Sequence, residues 1–191
     1  MRIKVNLNRD SIKQAVKKLN SVKKLLPKMW NEFLEKCAIW VIQRANERLD
    51  MLDVGIDVIE GIKASWSYTI QNGVAKIINT FDKAVYVEFG VGIVGQGNPH
   101  PFSEESGYEY NLESTAKDDD GVWRFYANDA DLDLPQEAIG HGSEFYDDSR
   151  DRMLIYTQGA VGAMYAYNAM QDLKTTGTAE KFWKEIRERY L

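Results

Sequence analysis

Few side chains in this 191-residue chain could move a proton, attack a carbonyl or hold a metal: two histidines, one cysteine and some carboxylates. Glu88 stands between Val87 and Phe89. A carboxylate in such apolar company could be the general base of a one-metal hydrolase, but nothing nearby in sequence completes that site. His100 lies between two prolines, and His141 lies between two glycines. Either ring could act as a base, yet spacing ties neither to a nucleophile nor to an orienting carboxylate. Both therefore read as loop histidines. Cys37 falls within an apolar helical stripe with no histidine near it, which makes it a small buried hydrophobe rather than a catalytic thiol.

Two further patterns come close to known chemistry and stop short. The run Gly90-Val91-Gly92-Ile93-Val94-Gly95-Gln96-Gly97 has the glycines of a phosphate loop, but neither a following Gly-Lys-Ser/Thr nor a clear helix start. Asp129, Asp131 and Asp133 alternate as calcium ligands would, but Leu134 and Gly140 stand where such a loop needs glycine and glutamate. A solvated acidic face is the expectation. One cysteine and two histidines leave no disulfide framework and no thiolate- or histidine-rich metal centre. Neither an enzyme nor a cofactor is expected.

The composition is that of a globular chain, 44% hydrophobic and 28% charged with 4 prolines. At this length roughly 70% of the unfolded surface can be buried in one domain. The start, Met1-Arg2-Ile3-Lys4-Val5-Asn6, has no apolar run of the kind a secretory signal needs. No stretch approaches the roughly 18 apolar residues of a membrane span, so a soluble protein of a reducing compartment is expected.

The net charge of -5 hides a strong asymmetry. Residues 1–50 carry 12 Lys and Arg against 5 Asp and Glu, whereas residues 101–160 carry 4 against 15. A basic end and an acidic segment in one chain favour head-to-tail association between copies, or docking of unlike partners. The lysines at positions 13, 17, 18, 23 and 24 could also touch DNA phosphates, but the acidic bulk would repel them.

Hydrophobic periodicity supplies the elements that must carry these residues. Ile12, Val16, Leu19, Val22 and Leu26 mark an amphipathic helix over residues 11–26, capped by Asp10 or Ser11, with Lys13, Lys17, Lys18 and Lys24 on its basic outer face. Pro27 predicts a break and a second helix over about 28–50, with Trp30, Phe33, Cys37, Val41, Ala45 and Leu49 along one stripe. Trp66, Tyr68 and Ile70 alternate with polar residues ahead of Asn72-Gly73, the signature of a type I′ hairpin returning through residues 74–80. Residues 84–90 fit either a strand or one helical turn. From Gly92 the glycines and prolines predict a loop, merging into an acidic stretch with interspersed aromatics. A strand at residues 153–156, a helix over about 163–174 and a last helix opening at Thr178 complete the chain.

The fold class expected is α+β: N-terminal helices packed on a small antiparallel sheet, a long acidic loop insertion and C-terminal helices. A single domain over residues 1–191 would comprise a basic helical region (1–50), a hairpin and turn (64–90), the acidic insertion (91–150) and a closing strand with helices (151–191).

The stretch Ala84-Val85-Tyr86-Val87-Glu88-Phe89-Gly90-Val91-Gly92-Ile93-Val94-Gly95 resembles the YVEFGTG signature of small neck proteins of long-tailed bacteriophages and prophages. These are the tail-component, tail-completion or head–tail joining proteins. Asn98-Pro99-His100-Pro101 is similar to the loop that follows in that family, and Tyr156-Thr157-Gln158-Gly159-Ala160-Val161-Gly162-Ala163-Met164-Tyr165 is similar to its closing segment. Val91 replaces the usual Thr, and Ala163-Met164 replace Pro-Phe or Phe-Met. The resemblance implies a structural virion protein, assembled in the host cytoplasm, that forms a ring of its own copies at the head–tail junction. Its implied neighbours are head-connector and tail-terminator or tail-tube proteins, with no specific nucleic acid and no membrane. In that picture Tyr86, Glu88, Phe89, Gly90 and Gly92 form an assembly turn, and Asp118, Asp119, Asp120 and Trp123 belong to a loop that meets a partner. The alternatives from other classes are a small hydrolase- or nuclease-like accessory enzyme using Glu88, His100 or His141, and a DNA-binding accessory protein using the basic helix.

Overall fold

The computed structural model describes residues 8–52, 54–110, 123–126, 144–147, 152–157 and 159–191. The first element is a single helix, α1 (Arg9–Leu49), of 41 residues. The Asn8 side chain accepts the Ser11 backbone N–H at 2.8 Å, so the cap lies two residues before the expected Asp10. The break expected at Pro27 does not occur. Proline in a helix interior lacks an N–H for the carbonyl four residues back, a cost of about 3 kcal/mol. Here Pro27 and Lys23 are both exposed, so water can take that carbonyl. Packing on the next turn offsets the rest: Met29 is fully buried, and Trp30 and Phe33 lie 5.2 Å apart between ring centroids.

The described residues form two compact units. The first comprises α1 as far as Arg44, residues 67–78, and the chain from Ala169 to Leu191. Its hairpin joins strands β1 (Trp66–Gln71) and β2 (Val74–Asn79) through Asn72 and Gly73. Both turn residues have positive φ, 52° and 76°, as a two-residue turn between twisted strands requires. Burial alternates along β1 as the sequence predicts. The helix lies on this antiparallel hairpin: Trp30 Nε1–H donates to the Gly73 carbonyl at 2.9 Å, and the Tyr68 hydroxyl donates to Glu35 at 3.0 Å.

Two further helices, α6 (Tyr165–Thr175) and α7 (Thr178–Tyr190), close the chain. Trp183 of α7 meets Trp30 and Phe33 edge-on, at 6.1 and 5.7 Å, a favoured aromatic geometry. Ion pairs Lys36–Glu185 and Arg44–Asp172, at 2.6 and 2.9 Å, and the pair Arg189–Glu32 flank this core. The Lys36 ammonium beside Glu185 lowers that carboxyl's pKa. Cys37 is buried, and burial pushes its thiol up.

The second unit comprises residues 45–66 and the described part of 79–168. Helix α2 (Ile56–Ala64) buries Ile59 and Ile62. Asn79 Nδ2–H donates to the Ile62 carbonyl at 2.7 Å, and Trp66 Nε1–H donates to Asn46 at 2.9 Å. Next come the short helix α3 (Ala84–Phe89), strand β3 (Gly90–Val91), and helices α4 (Gly92–Gly97) and α5 (Ser103–Ser106).

The loop expected from Gly92 is thus helical over six residues. Helix α4 sits against strand β7 (Gly159–Val161), and a Cβ at Gly95 would come within 3.0 Å of the Ala160 carbonyl. Close tertiary contact decides the backbone there, overriding weak local propensity. Strands β4 (Trp123–Tyr126), β5 (Glu144–Asp147) and β6 (Arg152–Thr157) form an antiparallel sheet in the order β4-β6-β5, with Trp123 opposite Thr157 and Asp147 opposite Arg152. β6 is the strand expected at residues 153–156. The architecture is α+β. Among the described residues no helix is long and apolar enough to cross a membrane.

Candidate functional site

The second unit gathers its polar chemistry around Glu88, on the last turn of α3. β3 pairs antiparallel with β7, Gly90 opposite Val161 and Val91 opposite Ala160. Gly90 has φ 84°, and a Cβ there would stand 2.5 Å from both the Ala160 carbonyl oxygen and the Gly162 nitrogen. Across the same junction a Cβ at Gly162 would stand 2.4 Å from the Glu88 carbonyl oxygen. Only glycine at both positions lets these backbones touch. The Ala163 and Met164 N–H groups then donate to the Val87 and Glu88 carbonyls at 2.8 and 3.1 Å.

That contact delivers the start of α6 to the Glu88 carboxylate. The Ala166 N–H donates to Oε2 at 2.9 Å, and the Tyr167 N–H donates to Oε1 at 2.8 Å. A helix's first N–H groups have no partner within the helix and carry a partial positive charge. Glu88 satisfies two of them from 78 and 79 residues away. His100 Nε2 is 3.2 Å from the same Oε1, with the ring only 3% exposed.

The hydrogen bonds assign the histidine's tautomer. Nδ1 accepts the Phe102 backbone N–H at 3.1 Å, so the ring proton sits on Nε2 and is donated to Glu88. The His100 backbone N–H donates to the Tyr110 hydroxyl at 2.7 Å. Aromatic rings enclose the pair. Phe89 lies 4.3 Å from the imidazole centroid and 4.6 Å from Tyr108, and Tyr167 meets the imidazole edge-on at 5.1 Å. The Tyr108 hydroxyl donates to the Gly90 carbonyl at 2.6 Å. Burial, and then the Glu88 charge, hold the Tyr165 hydroxyl well above the usual tyrosine range. Burial raises Tyr108 too, followed by its neighbours Tyr86 and Tyr110.

Chemically this is a densely hydrogen-bonded site. Three donors occupy the Glu88 carboxylate, and a backbone N–H occupies the free lone pair of His100. The arrangement fastens backbone segments together.

Spacing alone missed the pairing of Glu88 with His100. Phe89 and Gly90 belong to this cluster, Gly92 begins α4, and Tyr86 on α3 is 49% exposed. Tyr108, Tyr110 and Tyr167 also belong to it; the sequence suggests short strands at the first two, which lie outside any strand, and a helix at the third, and nothing ties them to Glu88. The sequence marks His100 as a candidate base and within Asn98-Pro99-His100-Pro101 beside the signature, but neither pointer joins it to Glu88. Asp118, Asp119, Asp120, Asp129, Asp131, Asp133 and His141 lie outside the described residues, and the Trp123 backbone pairs within the three-stranded sheet. Lys13, Lys17, Lys18 and Lys24 are exposed along the first half of α1. Among the described residues no group of three or more His, Cys, Asp or Glu side chains could hold a metal ion. Comparison with family models, curated proteins and solved structures finds no match for the chain.

Proposed function

We propose that this chain is a structural component of the head–tail junction of a long-tailed phage or prophage. It would act in tail completion or head–tail joining by assembling with its own copies into a ring beside connector and tail proteins. One observation carries the reading. The two stretches that resemble the neck-protein family, residues 84–95 and 156–165, are far apart in sequence, yet their described residues meet at the β3–β7 pair, where Gly90 faces Val161. The Glu88 carboxylate then binds the α6 N–H groups just beyond the second stretch. Two motifs that fit together as one built junction are better support than two separate matches. Of the side chains the accessory-enzyme reading would use, Glu88 and His100 are bonded within that junction, and His141 lies outside the described residues.

An early stop codon in this gene of the source phage or prophage, followed by negative-stain electron microscopy of the induced lysate, tests the role. Filled heads and separate tails that never join, or tails with aberrant ends, are the expected result. Normal infectious virions would overturn it.

A further inference from the structure

Residues 9–26 of α1 place apolar side chains where nothing described covers them. At 100° per residue, Ile12, Val16, Leu19 and Leu26 form one line along the helix. They are 45, 50, 57 and 43% exposed, while Ala15 and Met29, further round the helix, are buried. The stripe that sequence periodicity assigns to the interior therefore flanks the buried face. Lys23 sits in its line, and Lys13, Lys17 and Lys24 border it on the side away from Ala15. All four lysines are exposed, and among the described residues none has an acidic partner.

A second surface carries the opposite chemistry. Phe102 is 43% exposed at the start of α5, and Glu104 and Glu105 on that helix are exposed, with no cationic partner among the described residues. It opens the segment in which Asp and Glu outnumber Lys and Arg by 15 to 4. One face offers aliphatic surface rimmed by ammonium groups, and the other offers an aromatic ring beside carboxylates.

We propose that residues 9–26 of α1 in one copy seat the Phe102, Glu104 and Glu105 face of the next copy. This contact rests on the ring-assembly reading and names the surfaces that make it. Unlike faces joined head to tail close into a ring where the rotation permits, and otherwise run on as a filament. The apolar stripe supplies area and the charges supply register and salt dependence.

Sedimentation velocity and light scattering on the full-length protein test the contact. Wild type associates at low salt and loosens at about 0.5 M salt, where the screening length falls to only a few Å. The triple variant K13E/K17E/K24E and the double variant E104K/E105K each self-associate at least about tenfold more weakly. The chain carrying all five substitutions regains association, because the signs of both faces are exchanged. V16N/L19N, which leaves the charges alone, also weakens it, and circular dichroism shows every variant retaining its helix. A wild type that stays monomeric at both salts, single-face variants that associate like wild type, or a five-substitution chain that regains nothing overturns the contact. So does a wild type that binds anionic vesicles or duplex DNA through the lysines in place of itself. If the contact fails while the stop-codon lysate still holds unjoined heads and tails, the neck role stands and these surfaces are wrong. If virions are normal while the charge exchange restores association, the contact is real and the neck role is wrong.

Discussion

The turn around Glu88 and the first half of α1 use similar residue types in opposite ways. Around Glu88 the carboxylate, the imidazole and two tyrosine hydroxyls are bonded to described neighbours, and aromatic rings lie against one another. Along residues 9–26 of α1, aliphatic side chains and lysines stand exposed, and among the described residues those lysines have no ion-pair partners. Buried polar groups stabilise a fold only when their bonds are complete, so the first region belongs to folding. Exposed amphipathic surface adds little to a monomer's stability, so the second is available for association.

Substitutions that separate stability from association test this contrast. The largest loss is expected for Gly90→Ala, which combines a φ of 84° with a Cβ 2.5 Å from two backbone atoms. It should cost about 4 kcal/mol or unfold the second unit outright, read from urea unfolding. A loss under about 1 kcal/mol would mean that the β3–β7 approach is looser than described. Glu88→Ala comes next at about 3 kcal/mol, since it strands two helix N–H groups and the His100 N–H. Glu88→Gln, which keeps one acceptor oxygen, should lose less. Equal losses for the two substitutions would mean that a neutral acceptor oxygen cannot replace the carboxylate and that its charge carries the bonds.

The pH dependence follows from Tyr165. Its hydroxyl titrates higher in the fold than the ordinary value of about 10. The unfolded chain therefore releases that proton first as pH rises. The Tyr165 contribution is complete below about pH 10 and falls progressively above it. Urea midpoints measured from pH 8 upward should decline above about pH 10, and less steeply in Tyr165→Phe. Identical slopes would assign the decline to other groups. The smallest effect is expected on α1, where Lys13→Gln, Lys17→Gln and Lys24→Gln should each shift stability by no more than about 0.5 kcal/mol. A larger loss would mean that these lysines serve the fold and would erase the contrast.

The sequence was most legible where local pattern and tertiary packing agree. Alternation with Asn72-Gly73 gave the hairpin, and helical spacing with Thr178 gave α7. Pro27 misled because a proline signal is local, whereas the packing of Met29, Trp30 and Phe33 that carries the helix through it is not. Glycine-rich Gly92–Gly97 misled for the same reason, its backbone being set by β7. The Glu88–His100 pair was invisible because no periodicity links residues 12 apart on a short helix and a proline-flanked turn. A carboxylate that reaches across 78 residues to cap a helix has no local signature at all.

That same reach bears on how freely the intervening chain can change length. Bringing Ala166 back to Glu88 closes a 78-residue loop, and the closure entropy grows only as the logarithm of loop length. Doubling or halving such a loop changes the cost by about 0.6 kcal/mol, well below the expected loss on removing Glu88. Related chains could therefore lengthen or shorten the segment between the two motifs, and so change what it meets, with little penalty to the junction that holds its ends.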